Sequence, residues 1–264
     1  PAADATTGMI ASFATFAVGF VARPIGGIVF GHYGDRIGRK AMLVLSLGLM
    51  GAVTFLIGLL PTYETVGLWA PVLLTALRFF QGFAVGGEWG GATLMVVEHA
   101  RPERRGFYGS WPQMGIPAAL LLSSGVMAVV TASTSPEQFA DWGWRVPFLL
   151  SGLLLVVGIV IRRRLAESPS FQRLKQSGRR EALPIGAIIG HRKRLTALVI
   201  GSQAAENTSF HVFAVWALAY MTTAIGVPRP VVLNALMIAA TACLVAQPFF
   251  GALSDRIGRK RVFA

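Results

Sequence analysis

The chain has 264 residues, 54% of them hydrophobic and 14% charged, well below the roughly 25% charge of soluble domains. A soluble protein so poor in charge could not cover its surface, whereas a protein solvated by lipid can. A net charge of +12 would ordinarily raise nucleic-acid binding, but the charges are arranged in a way that argues against it. The sequence offers no Ser/His/Asp pattern, no phosphate-binding glycine loop and no His/Cys spacing for a metal, so nothing in it supports an enzyme.

A membrane span needs about 20 mostly apolar residues, and seven spans are predicted. The first, 7–30, holds Arg23 and leads to a basic stretch with Arg36, Arg39 and Lys40. The second, 41–60, is uncharged, and the loop near Thr62–Ala70 after it has no Lys or Arg. The third, 71–97, carries Arg78, Gln81, Val85 and Glu88 as one loose helical stripe. At about 1.5 Å per residue Arg78 and Glu88 lie about 15 Å apart, so each requires another partner. Glu88 sits among Gly86, Gly87, Gly90 and Gly91, whose two overlapping Gly-x-x-x-Gly patterns permit close helix approach. It reads equally as a proton carrier and as a partner for Arg23.

Arg101, Arg104 and Arg105 follow. The fourth span, 107–132, is uncharged, and the loop near Ser133–Gly143 has no basic residue. The fifth, 145–162, is the shortest, with Arg145 and Arg162 expected to snorkel to opposite interfaces. The stretch 162–194 carries ten basic residues. The sixth span, 195–223, places Glu206 and Asn207 near its middle, with His211 on another side of the helix. The seventh, 231–253, contains the lone Cys243, read as packing, and precedes Arg256, Arg259, Lys260 and Arg261.

Twenty of the 24 Lys and Arg residues thus fall on one side of the predicted spans, which the positive-inside rule assigns to the cytoplasm. Trp69, Trp142 and Trp144 fall at the opposite ends, as an aromatic belt would. Pro1 is then outside, which implies an earlier span and a chain that is a piece of a longer protein. Asp35-Arg36-Ile37-Gly38-Arg39-Lys40 recurs unchanged as Asp255–Lys260, 220 residues on, with Gly31 and Gly251 in matching positions ahead of it. Six predicted spans separate the copies. That is the pattern of a parallel repeat of two six-helix halves: an N-terminal half at 1–164, a cytoplasmic linker at 165–194, and the start of a second half at 195–264.

These motif residues resemble the signature of the major facilitator superfamily. Four further stretches resemble its metabolite:proton symporter family. They are Arg23-Pro24-Ile25-Gly26-Gly27 with Gly31–Asp35, and Gln81-Gly82-Phe83 with Gly86–Gly91 and Glu98-His99-Ala100. The others are Asp141–Phe148 and Glu167-Ser168-Pro169 with Phe171. The resemblance implies an all-α polytopic membrane protein of the major facilitator fold, here helices two to eight of twelve. It implies a monomeric carrier of a small organic acid or zwitterion, using the proton as coupling ion and no cofactor, in a bacterial cytoplasmic membrane.

The resemblance also assigns residues. Arg78-Phe79-Phe80-Gln81-Gly82 matches the family's cavity-facing Arg-x-x-Gln-Gly, so Arg78, with Gln81, Glu88, Glu206, Asn207 and Arg23, is a candidate for substrate or proton coupling. Glu98, Arg105 and Glu167 resemble a charge network tying helix ends together. Asp35 resembles a carboxylate that caps a helix of the other half, and Gly31, Arg36, Gly38, Arg39 and Lys40 complete the first gating motif. Asp255, Arg256, Gly258, Arg259 and Lys260 are the second copy. The fourth span, Gly109–Pro117, lacks the Gly-Pro order of the superfamily's antiporters, which favours symport over antiport. A transport-inactive sensor is the alternative of a different class.

Overall fold

The computed structural model describes residues 5–168, 171–172, 193–212 and 216–263, with the side chains of 5–13, Glu206, Asn207, Phe210, His211, Leu218, Ala219, Arg229 and Phe263 left outside that description. All regular structure among the described residues is helical. In chain order the helices are α1 (Ala5–Ile37), α2 (Arg39–Gly58), α3 (Tyr63–Val66), α4 (Trp69–His99), α5 (Arg105–Gly109) and α6 (Trp111–Ser133). They continue as α7 (Pro136–Asp141), α8 (Val146–Arg164), α9 (Lys193–His211), α10 (Ala217–Thr223), α11 (Arg229–Ile257) and α12 (Arg259–Phe263).

Six helical segments among the described residues are long and apolar enough to cross a membrane, not seven: Ala14–Ile37, Arg39–Gly58, Trp69–His99, Pro102–Ser133, Gly143–Arg164 and Pro230–Ile257. The predicted span 195–223 is the one that fails. It falls on α9 and α10, with 213–215 between them outside the described residues. α9 is 19 residues long but carries Lys193, Arg194, Gln203, Glu206 and Asn207, and α10 has only seven residues. Neither supplies about 20 mostly apolar residues. The count of six spans between the two motif copies rested on that segment and falls with it. The proposed linker, 165–194, lies mostly outside the described residues.

The chain divides into two compact units, Pro1–Arg105 with Ser123–Arg180 and Gly106–Leu122 with Glu181–Ala264. In the first, α4 packs along α1 and α2, and α2 packs in turn on α8. The α1–α4 contact is a backbone-to-backbone seam. A Cβ on Gly82 would collide with the carbonyl of Gly19, one on Gly86 with the carbonyl of Arg23, and one on Gly26 with the carbonyl of Phe83. Only glycine permits such an approach. α8 has no buried residue, and Leu153, Val156 and Ile161 are more than half exposed, an outward apolar surface of the kind lipid solvates.

The basic motif is less a loop than a one-residue break. α1 runs through Asp35 and Arg36 to Ile37, Gly38 turns the chain at φ 125°, and α2 starts at Arg39. In the second unit Gly258 does the same between α11 and α12 at φ 94°. Both φ values lie in the left-handed region, where a side chain is strained.

Candidate functional site

The first unit holds a half-open cavity of about 440 Å³ between α1, α2, α4 and α8. α1 contributes Phe16, Phe20 and Arg23; α2 contributes Leu47, Met50 and Thr54; α4 contributes Arg78, Gln81 and Val85; α8 contributes Ser151, Leu154 and Leu155. The polar side of the cavity is a short relay. Arg78 Nη1 donates to Gln81 Oε1 at 2.9 Å, Gln81 Nε2 donates to Thr54 Oγ1 at 2.8 Å, and Thr54 Oγ1 donates to the Met50 carbonyl at 2.7 Å. The last bond is local to α2 and fixes the hydroxyl. Gln81, one turn along α4 from Arg78, is thereby locked as an acceptor toward the guanidinium.

Each arginine of the cavity also rests on an aromatic ring, Arg78 over Phe16 at 4.6 Å and Arg23 over Phe20 at 4.1 Å. Neither forms an ion pair among the described residues, and Arg78 Nε is buried without a partner. The site therefore holds two cations with incompletely used donors in a mostly apolar chamber, an arrangement that attracts a carboxylate.

Glu88 continues the α4 stripe beyond the cavity, and its partner is not Arg23. Arg162 Nη2 binds its Oε1, while Arg162 Nη1 donates to the Leu43 carbonyl on α2. Arg162, expected at an interface, thus turns inward to join α2, α4 and α8. Arg145 behaves alike, donating from Nη1 to the carbonyls of Gly58 and Leu60 at 2.9 and 2.6 Å. It satisfies the C-terminal end of α2, where carbonyls have no helical partner.

At the basic end of the first unit Arg39 pairs with Glu98 and lies 3.8 Å from Asp35. Glu167 Oε1 accepts from the backbone N–H of Lys40 at 3.1 Å, and Lys40 Nζ donates to the Arg163 carbonyl at 2.7 Å. The carboxylate of Glu167 stands in for the N-cap that Gly38 cannot supply to α2. A Cβ on Gly38 would meet Glu167 Oε2 at 2.5 Å. Arg36 occupies the last turn of α1, Gly31 has open space around it, and Arg105 is exposed at the first residue of α5.

In the second unit Asp255 accepts from the N–H groups of Gly106 and Phe107, and Gly251 lies against the Gly106 backbone. Arg256 sits in the last turn of α11, and Arg259 and Lys260 open α12. Glu206 and Asn207 are on α9, but their side chains lie outside the described residues, as does that of His211. Thr54, Phe16, Phe20 and Arg162 were not singled out as site residues in the sequence. A threonine in an apolar run or an arginine at a span end carries no pattern of its own. Among the described residues no group of three or more His, Cys, Asp or Glu side chains is placed to hold a metal ion.

These features define a polytopic helical membrane protein with an arginine-lined chamber inside its first helices. The family model of the Major Facilitator Superfamily matches residues 3–264, and the chain belongs to that superfamily. It is 43% identical over 265 residues to the inner membrane metabolite transport protein YhjE of Escherichia coli K12, covering 99% of this chain and 60% of that protein. It is 42% identical to the shikimate transporter of the same organism, covering 100% and 60%, and 37% identical to its proline/betaine transporter, covering 98% and 54%. The chain spans about 60% of the length of the first two. All three relatives are named as transporters and none as an enzyme.

Among solved structures, a double Trp mutant of XylE superposes with a TM-score of 0.74 at 18% identity, covering 94% of this chain and 60% of that one. The proton:xylose symporter XylE bound to 6-bromo-6-deoxy-D-glucose gives 0.70 at 19%, covering 93% and 59%. At such identity the match concerns the fold.

Proposed function

We propose that this chain is the larger part of a proton-coupled uptake carrier of the metabolite:proton symporter kind, working by alternating access in a bacterial inner membrane as a monomer. Its substrate is a small solute bearing a carboxylate. The observation that carries this reading is Arg78, fixed by Gln81 and Thr54 at the wall of the cavity with a donor left unused. A guanidinium in that state offers a substrate carboxylate charge-assisted hydrogen bonds. The names of the relatives, one for shikimate and one for proline and betaine, agree in one group only, since all three solutes carry a carboxylate. The helix ends bearing Arg36–Lys40, Arg101–Arg105 and Arg162–Arg164 face the cytoplasm in this reading, and residues 1–164 form most of the first half of the carrier.

The test is uptake of radiolabelled shikimate, proline and betaine by the full-length protein in a transport-deficient bacterium. Arg78→Lys keeps the charge and loses the planar fork. A hydrogen bond to a charged group contributes about 1.5–3 kcal/mol, so its uptake is expected to fall about tenfold or more. Arg78→Ala is expected to show none, with both variants present in the membrane at wild-type amount. Near wild-type uptake by Arg78→Ala, or no uptake of any of the three solutes by the wild type, overturns the reading.

A further inference from the structure

The helices that line the cavity carry a second polar cluster, which binding of a carboxylate at Arg78 does not use. On α4, Glu88 follows the lining residue Val85 by about 4.5 Å of helix; on α2, Leu43 precedes Leu47 by about 6 Å; on α8, Arg162 follows Leu155 by about 10 Å. The three meet in one junction, with Arg162 bound at once to the Glu88 carboxylate and the Leu43 carbonyl. The paired side chains are only 18 and 19% exposed, yet Glu88 Oε2 is buried without a partner.

A purely structural ion pair at such a depth would be expected to occupy both carboxylate oxygens, because a bare buried oxygen is unfavourable. Here one oxygen is open to a proton. A proton added at Oε2 forms an O–H bond, neutralises Glu88 and dissolves the ion pair. Arg162 then keeps its bond to Leu43 through Nη1, so it is left with one partner rather than none. The groups around the junction are cationic or neutral. α8 brings Arg162, followed by Arg163 and Arg164. α2 has no charged residue between Ala41 and Gly58. α1 sets the Arg23 carbonyl against Gly86 and the Phe30 ring against Gly87, its nearest titratable side chains in sequence being Arg23 and His32. On α4 itself Arg78 and Glu98 each lie about 15 Å away along the axis, and Arg39 holds Glu98.

We propose that Glu88 is the proton-binding group of this carrier, and that Arg162, shared between α4 and α2, converts its charge state into a change at the junction beneath the cavity. The proposal rests on the reading of the chain as a proton-coupled carrier. Protonation leaves a cation uncompensated where three helices meet, which biases the junction toward another arrangement.

The full-length carrier reconstituted in lipid and titrated under infrared difference spectroscopy tests this without any substrate. The wild type is expected to show the carbonyl stretch of a buried protonated carboxyl growing as pH falls. That band is lost in Glu88→Gln and moved in frequency or midpoint in Glu88→Asp. In Arg162→Gln its midpoint is moved, because the neighbouring cation is gone. In proteoliposomes with an imposed pH gradient, Glu88→Gln is expected to lose accumulation of labelled shikimate above the outside concentration. An undiminished band in Glu88→Gln, or an unmoved midpoint in Arg162→Gln, overturns the proposal. If Glu88→Gln is not recovered folded, Glu88→Asp decides, and an unmoved band there is equally fatal. Failure of the wild type to carry shikimate counts against the substrate reading alone, since the infrared arms still judge Glu88.

Discussion

The carboxylate of Asp255 accepts from two successive backbone N–H groups, those of Gly106 and Phe107, at 2.7 and 2.8 Å. Both donors open a helix and have no intrahelical acceptor, so a carboxylate there gains from hydrogen bonds and from the helix dipole together. Asp255→Asn keeps one acceptor and loses the charge, an expected loss of about 1–2 kcal/mol; Asp255→Ala removes both bonds and is expected to lose about twice that. Thermal unfolding of the purified protein would check the order, with equal midpoints for wild type and Asp255→Ala counting against a capping role. The aspartate itself was legible from the repeat, whereas its partners were not, because they lie 149 and 148 residues away. Arg145 and Arg162 were misread for a related reason. Snorkelling is the default for a basic residue at a span end, and only the tertiary structure reveals the carbonyls of Gly58, Leu60 and Leu43 within reach.

At the level of elements, α4 shows which glycines matter. The sequence pointed to Gly86 with Gly90 and Gly87 with Gly91. The α1–α4 seam instead runs through Gly82 and Gly86, while Gly90 has nothing within 4 Å of a would-be Cβ. Periodicity finds a glycine face, but only the partner helix decides which members of the face meet backbone. Gly82→Ala is therefore expected to destabilise by about 1–3 kcal/mol, since the Gly19 carbonyl it meets is main chain and cannot rotate away. Gly90→Ala gains helix propensity and is expected to be neutral or stabilising by up to about 1 kcal/mol. Denaturation of the two single variants side by side checks this, and equal stability would remove the seam from the account. The misjudged element was 195–223. Its length looked sufficient, but Gln203, Glu206 and Asn207 dilute the apolar run of α9, and α10 has only seven residues.

For the molecule as a whole, composition favoured a membrane protein, since 14% charge is too little to cover a soluble surface, and the long apolar runs pointed to helices. In the proposed orientation the basic helix ends face the cytoplasm. α6 lies between Glu103 and Glu137, both exposed, so a single cysteine at one position should be inaccessible from the side that reaches the other. With Cys243 replaced by Ser, an impermeant maleimide is expected to label position 137 in intact cells and position 103 only after permeabilisation. Labelling of both in intact cells would contradict the orientation.

The cavity was legible only in part, through Arg78 and Gln81. Its other walls come from Thr54, Phe16 and Leu154, ordinary residues that three other helices bring in. The glycine seam has a bearing on how such a chamber moves. With carbonyl oxygens of one helix filling the space where the other has no side chains, α1 and α4 are interlocked against sliding and would swing as a single beam. Arg23 and Arg78 ride on that beam, so the spacing of their backbones is an invariant of any rocking motion. In the proposed carrier, a change in the shape of the chamber would therefore have to come from α2 and α8, around a fixed pair of charges.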